Sequence, residues 1–303
     1  MKIPNDRTPA PRPAALLAAF LISTSCAPAE FNAATRGIGQ AWGPSPGDKV
    51  VRISGIYPHL AVFSPYGECG IGAVVPWADR LWLITYPPHM TRGGEDKLYT
   101  IDRDLRMEVR PESVGGTHAN RMIHRESNQL IIGPYFVGAD GAVRAADVKS
   151  ALVGRMTATA RHLTDPANKV YFYDMEGAVY EVDVRGLGVT RPFEKPVPGW
   201  HGKGAHTAQG RFVIAKNGER EVGKKKYEYL AGGEATSGDE RGALAEWDGA
   251  SWRLIERHQF TEVTGPGGIF GAPDDAAPLW ALGWERRSVI LKLLDGGQWH
   301  TFR

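Results

Sequence analysis

The sequence has few cysteines, almost no net charge and no apolar run long enough to cross a membrane. Its 303 residues contain two cysteines, Cys26 and Cys69, which excludes a small scaffold held together by disulfides. Lys and Arg total 36 against 34 Asp and Glu, a net charge of +2, so nothing in the charge indicates a nucleic acid or an anionic membrane as partner. The apolar run at 14–22 has nine residues, whereas a spanning helix needs about 20. Functional charge must therefore be local.

Several motifs that carry chemistry are also missing. No glycine-rich phosphate loop joins a strand to a helix, and no His-Glu-x-x-His pair occurs, which argues against a nucleotide-binding loop and a zinc protease site. Cys69 stands alone between glycines and is better explained as a small buried residue than as a nucleophile.

The first residues have the order of a secretory signal. Basic Lys2, Arg7 and Arg12 precede the apolar run, and small residues follow it, which predicts a signal peptide over 1–29 and a secreted or periplasmic protein. Cys26 leaves an alternative open, because a cysteine just after the apolar run could become the anchor of a lipoprotein. The Ala-, Gly- and Pro-rich stretch 30–48 is predicted to be a linker.

Glycine, proline and aromatic residues are plentiful, and a short pattern recurs. The chain has 37 Gly, 21 Pro and 10% aromatic residues, a composition typical of many short strands and turns. Apolar residues alternate up to an aspartate in five places, with a turn and a second apolar stretch before each; the aspartates are Asp102, Asp147, Asp183, Asp248 and Asp295. A spacing of roughly 40–50 residues with two hairpin signals is typical of a β-propeller blade. We therefore predict an all-β propeller over 49–303, with about five blades and part of another.

The densest group of functional side chains lies in 115–125. In an extended chain His118, Asn120 and His124 would share one face while Arg121 points to the other. Two imidazoles, an amide and a guanidinium could bind a carboxylate and move a proton, or they could satisfy loop backbone and pair with nearby acids. Other polar residues stand at comparable places near the predicted blade entries: His89, Tyr135, Arg161, His162, His201 and Lys203.

Several runs together resemble one family of secreted enzymes. The runs are 67–77, 116–124, 133–135, 175–177, 201–204 and 264–268. They are similar to those of seven-bladed propellers that include L-rhamnose-α-1,4-D-glucuronate lyases and related α-L-rhamnosidases acting on arabinogalactan side chains. The resemblance extends from about Tyr57 to Arg303. Members of that family continue beyond the position that matches Arg303, so the resemblance implies an incomplete propeller.

The resemblance implies β-elimination at a glucuronate in a rhamnose-capped acidic plant glycan. It gives Arg121 and Arg161 to the uronate carboxylate and makes His118 and Tyr135 the proton-transfer pair, without deciding which is base and which is acid. The remaining residues shape or bind substrate: His89, Asn120, His124, His162, His201 and Lys203.

Two other functions stay open at this point. The related rhamnosidases hydrolyse the same bond with a histidine on the opposite face, for which His59 is the nearest candidate, and a propeller can also bind glycan without catalysis. No cofactor is expected for the chemistry, although the resemblance allows a structural calcium in the central channel. We expect a monomer with no nucleic acid partner and no transmembrane span.

Overall fold

Short apolar stretches separated by turns form every regular element that the structure describes. The computed structural model describes residues 70–87, 89–197, 202–216, 242–258, 260, 268–285 and 288–303. Over these residues the protein is all β, with no helix. His59, Cys69 and His201, together with the predicted signal peptide and linker, lie outside the described residues.

The strands form five four-stranded antiparallel sheets in the described part of the chain, each built from strands consecutive in sequence. Sheet 1 contains β1 (Gly70–Trp77), β2 (Arg80–Tyr86), β3 (Leu98–Ile101) and β4 (Met107–Val109). Sheet 2 contains β5 (Arg121–His124), β6 (Gln129–Ile132), β7 (Tyr135–Gly138) and β8 (Val143–Ala145). Sheet 3 contains β9 (Met156–Arg161), β10 (Lys169–Asp174), β11 (Val179–Asp183) and β12 (Val189–Phe193).

The last two sheets follow the same plan. Sheet 4 contains β13 (Gly202–Ala208), β14 (Arg211–Lys216), β15 (Ala243–Trp247) and β16 (Trp252–Glu256). Sheet 5 contains β17 (Ile269–Gly271), β18 (Leu279–Glu285), β19 (Ser288–Asp295) and β20 (Gln298–Phe302). These sheets are consistent with the blades of a propeller.

Each sheet packs on its neighbours because its strands are apolar on both faces. In β10, Val170 and Phe172 pack in a core with sheet 2, whereas Tyr171 and Tyr173 pack in a core with sheet 4, as the alternation of side chains along a strand requires. Similar cores lie between sheets 1 and 2 and between sheets 4 and 5. The first strands β5, β9, β13 and β17 also contact one another in order.

The recurring aspartate has a local structural cause. Asp102, Asp183 and Asp248 end or directly follow the third strand of their sheets, and each side chain accepts hydrogen bonds from backbone amides two to four residues later. Such Asx turns fix the hairpin into the fourth strand. The weaker copy at 143–147 departs from the pattern, because Val143–Ala145 is the fourth strand of sheet 2 and Tyr135–Gly138 is the third.

Candidate functional site

The strand directions divide the predicted site residues between two ends of the sheets. The end where β5 and β9 begin, which we call the entry end, holds His118, Asn120 and Arg121. The end where β5 and β9 turn into β6 and β10, the hairpin end, holds His124, Arg161 and His162. Arg121 and His124 are the two termini of one strand, roughly 10 Å apart at about 3.3 Å per residue. The structure therefore does not bring these six side chains together.

At the entry end, the segment just before β5 is hydrogen-bonded to the first residue of β9. The Met156 amide donates to His118 Nδ1 at 3.2 Å, and the Met156 carbonyl accepts from the Ala119 amide at 2.9 Å. Thr117, next to His118, donates its amide to the Met90 carbonyl and accepts the Met90 amide at Oγ1. The segment before β5 is thereby fixed between sheets 1 and 3, beside His89.

His118 is a neutral, buried imidazole. Burial lowers its pKa to about 4, against an opposing contact with the Gly115 backbone. Because Nδ1 accepts from Met156, the proton of the neutral ring is on Nε2. His118 therefore presents no lone pair to solvent in this arrangement.

Tyr135 lies close to His118 and is buried as deeply. Its hydroxyl accepts the Val114 amide at 2.7 Å, and burial raises its pKa, so the phenol stays protonated at neutral pH. A Cβ on Gly133 would lie within 3.6 Å of both His118 and Tyr135. The two predicted proton-transfer residues are neighbours, and in the structure both hold the segment 114–118.

Three residues at the entry end have polar groups that are not fully satisfied: Asn120, Arg121 and His118, whose buried Nε2 has no partner among the described residues. Asn120 Nδ2 donates to the Gly133 carbonyl and to Thr159 Oγ1, both at 2.9 Å, while its buried Oδ1 has no partner among the described residues. Arg121 is partly buried, and the partner found for its guanidinium within the described ranges is the Ala119 carbonyl, at 3.2 Å. Burial lowers its pKa, but an arginine remains charged. A partly desolvated guanidinium with no acidic partner among the described residues is suited to binding a carboxylate.

A second cationic residue at the entry end, Arg155, lies in no motif from which the sequence would predict a functional role. Arg155, directly before β9, is almost fully buried; its Nε donates to Glu176 Oε1 at 2.5 Å and its Nη1 to His89 Nδ1 at 3.1 Å. His89 itself is exposed and has a positive φ of 56°, an uncommon conformation for a residue other than glycine. Glu176 stands in one of the family-like runs, whereas no local motif marks Arg155. Lys203, the second residue of β13, is partly buried at this end.

The two histidines at the hairpin end stabilise nearby turns through hydrogen bonds of their ring nitrogens. His124 Nε2 donates to the Pro166 carbonyl at 2.8 Å while Nδ1 contacts Ser127 Oγ at 2.7 Å. His162 repeats the geometry one sheet later, since its Nδ1 accepts the Asp165 amide at 2.9 Å and its Nε2 donates to Glu181 at 3.1 Å. In both rings the two nitrogens already have protein partners.

Arg161 is paired with two acids at the hairpin end, while its buried Nε has no hydrogen-bond partner among the described residues. Its guanidinium forms ion pairs with Glu126 from sheet 2 and with Asp275 from the loop before β18. It thus bridges separate sheets, and a substrate carboxylate would have to displace one of these acids. Its role in binding substrate stays a prediction.

One buried carboxyl next to the entry end has a strongly altered affinity for protons. Burial raises the pKa of Asp174, the last residue of β10, to about 6; hydrogen bonds from the Ala178 amide at 2.7 Å and the Tyr180 hydroxyl at 2.9 Å oppose the shift, and Glu176 adds to it. The side chain closes the β10–β11 turn, and a Cβ on Gly154 would lie 1.9 Å from its Oδ2. Asp174 is part of the packing under the site.

Replacing Asp174 with asparagine should stabilise the protein at alkaline pH. An unfolded aspartate ionises near pH 3.9, whereas in the fold the pKa is about 6, so folding stability falls by about 3 kcal/mol as pH rises from about 4 to 6 and stays lower above it. We expect Asp174→Asn to raise the free energy of unfolding by about 2–3 kcal/mol at pH 8 and to change it little at pH 4. Urea unfolding at both pH values measures the difference.

Asp183→Asn is the matched control for that experiment. Hydrogen bonds from the amides of Gly186 and Arg185 lower the pKa of Asp183, so folding favours its ionised form, and removing the carboxylate should destabilise the protein at pH 8 rather than at pH 2. A stability difference for Asp174→Asn that does not change between pH 4 and pH 8 would contradict a raised pKa at that carboxyl.

The structure neither adds a metal site nor indicates a membrane segment. In the described ranges, no three His, Cys, Asp or Glu side chains are grouped so that they could hold a metal ion. A structural calcium therefore stays a prediction. No helix capable of crossing a bilayer is found in the part of the chain that the structure describes.

Comparisons with known proteins identify no family. No family model and no curated protein sequence matches the chain. A structural genomics protein of unknown function from Bacteroides thetaiotaomicron aligns with a TM-score of 0.44 and 10% identity, over 76% of this chain and 57% of that one. A 6-phosphogluconolactonase candidate from Bacteroides uniformis gives 0.41 and 10% over 76% and 70%, and an auxiliary nutrient binding protein from Bacteroides ovatus gives 0.40 and 11% over 74% and 54%. The chain spans little more than half the length of the first of these, and the likenesses are too low to support any inference about activity.

Proposed function

We propose that this protein is a lyase that cleaves the L-rhamnosyl-α-1,4-D-glucuronate cap of arabinogalactan-type glycans by β-elimination. The observation that carries the proposal is Arg121, a partly buried guanidinium with no acidic partner among the described residues, at the centre of the family-like run 116–124. A uronate carboxylate is the ligand that would complete its hydrogen bonding.

The first step of the proposed reaction is binding and neutralising the carboxylate. Arg121 would donate two parallel hydrogen bonds to the carboxylate, and the buried Oδ1 of Asn120, which has no partner among the described residues, would accept a hydrogen bond from a sugar hydroxyl. Neutralisation makes the proton at C5 more acidic, because the negative charge that develops on the carboxylate during its removal is stabilised.

The second step is transfer of protons at C5 and O4. His89 is exposed, and its Nδ1 accepts a hydrogen bond from Arg155 Nη1 at 3.1 Å, so it would help to shape the site; protonation of the leaving O4 stays with the pair His118 and Tyr135, as the resemblance implies. Removal of the C5 proton by His118 or Tyr135 stays a prediction from the resemblance. Either would need segment 114–118 to shift, because their polar atoms contact Met156 and Val114.

Hydrolysis is the second candidate, and the described entry end favours it less. Ordinary glycosidases use two carboxyl groups about 5–10 Å apart. Here Glu176 is paired with Arg155 and Asp174 is enclosed in its turn, so neither is free to act as a nucleophile or a water-activating base. The histidine proposed for the hydrolytic branch, His59, lies outside the described residues.

The resemblance also supports proposals about the whole molecule. The five sheets would be successive blades of a propeller of the seven-bladed type. The signal-like sequence at 1–29 would direct the protein out of the cytoplasm, where it would be either released or anchored through Cys26. Its partner there would be a rhamnose-capped plant glycan.

Incubating the protein with gum arabic separates the three functions. Elimination produces an unsaturated uronate, whose conjugated double bond absorbs in the ultraviolet; hydrolysis releases rhamnose without that absorbance; a binding module does neither but is retained on the immobilised glycan. We expect the ultraviolet product. Free rhamnose with no absorbance would replace the lyase proposal by the hydrolase, and no reaction with retention would replace it by glycan binding.

A further inference from the structure

Glu176 uses both of its carboxylate oxygens to hold one residue, Arg155. Oε2 accepts the Arg155 backbone amide at 3.0 Å, and Oε1 accepts Nε of the same residue at 2.5 Å. A third bond joins the two backbones, since the Met175 amide donates to the Arg155 carbonyl at 2.9 Å. These three bonds leave the Arg155 side chain little freedom to turn.

The turn that carries Glu176 is itself fixed. Asp174 accepts the Ala178 amide across the turn at 2.7 Å. The Gly202 amide, at the start of β13, donates to the Met175 carbonyl at 3.1 Å, which joins the turn to sheet 4. The position of the Arg155 guanidinium is therefore set by the packing of sheets 3 and 4.

Part of that guanidinium remains available to a ligand. Of its five N–H groups, one on Nε goes to Glu176 and one on Nη1 to His89 Nδ1 at 3.1 Å, while Nη2 has no partner among the described residues. The side chain keeps 8% of its surface exposed. Arg155 directly precedes Met156, which is hydrogen-bonded to His118 and Ala119, so these donors lie beside the run that carries Arg121.

The charges of the two arginines at the entry end differ in their compensation. Glu176 neutralises Arg155 by direct contact, whereas Arg121 has no acidic partner among the described residues. A carboxylate approaching Arg155 would also approach Glu176, which is 41% exposed, and like charges repel. The remaining N–H groups of Arg155 are therefore suited to an uncharged oxygen, and the guanidinium of Arg121 to a carboxylate.

We propose that Arg155 binds a hydroxyl oxygen of the acidic glycan and that Glu176 is the residue that positions it. The carboxylate is left to Arg121. This assignment rests on the proposed function in taking a uronate-containing glycan as the ligand, but it does not require that the glycan be cleaved. The same arrangement fixes His89, because donation from Arg155 to Nδ1 keeps the proton of the neutral ring on Nε2.

Binding to two forms of gum arabic tests the role of Arg155. Native gum carries uronate carboxylates, and carboxyl-reduced gum has neutral alcohols in their place; affinity electrophoresis at 4 °C with the glycan in large excess measures both. We expect Arg155→Met to weaken binding of both forms about tenfold, because the lost hydrogen bond goes to a group that both contain. Arg155→Lys, which keeps the charge beside Glu176 but lacks Nη2, should behave in the same way. Arg121→Met should weaken binding of the native form alone.

Glu176→Gln tests the positioning role. An amide offers one acceptor where the carboxylate offers two, so Arg155 loses one of its bonds to residue 176, and we expect binding of carboxyl-reduced gum to weaken about fivefold. Nitrogen-15 NMR of the His89 ring should change from the Nε2–H tautomer to a mixture of both, a signal that a role confined to stabilising the turn would not move. Glu108→Gln is the matched control: Glu108 on β4 pairs with Arg80 at 3.3 Å, and its substitution should change neither measurement.

Several results would overturn the proposal, with circular dichroism verifying that each variant is folded. Weaker binding of the native gum alone by Arg155→Met would make Arg155 a carboxylate ligand, and unchanged binding of both forms would exclude it from the site. Failure of the unmodified protein to bind carboxyl-reduced gum would also contradict a contact to an uncharged oxygen. An unchanged His89 tautomer in Glu176→Gln would remove the positioning role. Absence of the unsaturated uronate contradicts the lyase alone, since an inactive protein can still bind both glycans.

Discussion

Arg121→Met is expected to lower the rate of uronate elimination by roughly 10²–10³-fold, the loss typical when one group that stabilises developing charge is removed. The fold should be unaffected, since within the described part of the chain the substitution removes a single hydrogen bond, from Nη1 to the Ala119 carbonyl. Arg121→Lys should recover only part of the rate, because an ammonium keeps the charge but not the bidentate geometry. The rate at which the unsaturated uronate appears is measured by ultraviolet absorbance for the unmodified protein, Arg121→Met and Arg121→Lys.

Arg125→Met is the matched control for Arg121. Arg125 is one residue beyond β5, exposed, at the hairpin end, so its loss removes the same charge without touching the entry end. Full activity of Arg121→Met would contradict the assignment of Arg121 to the carboxylate site. An equal loss of activity in Arg121→Met and Arg125→Met would indicate a general effect of charge.

Gly72→Ala is expected to destabilise the protein by about 2–4 kcal/mol, because an added methyl has no room between two sheets. A Cβ at Gly72 would lie 2.0 Å from the carbonyl oxygen of His118, which is backbone and cannot rotate away. β1 would be pushed away from the segment 117–120, so activity should fall together with stability. Thermal unfolding should show a midpoint lower by roughly 5–15 °C.

Gly188→Ala is the same substitution at another glycine, and we expect it to raise the stability of the protein instead of lowering it. A Cβ at Gly188 meets nothing within 4 Å, and its backbone is outside the left-handed region. Alanine there should stabilise by about 0.4–1 kcal/mol by restricting the unfolded chain. If Gly72→Ala also stabilised the protein, the close approach of β1 to His118 would be wrong.

Much of the sheet structure could be predicted from the sequence because its signals are local. The apolar stretches placed before each aspartate are the second strands in all five sheets, β2, β6, β10, β14 and β18. The aspartate pattern marks the third strand of its sheet at Asp102, Asp183, Asp248 and Asp295. It failed at Asp147, where the same turn chemistry, with Asp147 accepting the Lys149 amide, follows a fourth strand.

The site was harder to predict because it depends on strand direction and on distant partners. His118 and His124 belong to one run, yet the strand between them carries His124 to the other end of the sheet. The prediction that the two residues share a face of an extended chain says nothing about which end of the strand each residue occupies. Arg155 is invisible to local reasoning, because it becomes part of the site only through Glu176, 21 residues later, and His89, 66 residues earlier.

The series of separate cores between sheets implies a graded resistance to local opening. Each core joins only two neighbouring sheets, so stability is distributed along the series as it is in repeat proteins. Sheets 2, 3 and 4 are each held on both faces by described cores, and their backbone amides should exchange with solvent most slowly. Sheets 1 and 5 are each held on one face by a core in the described structure, so their strands should be the first to open.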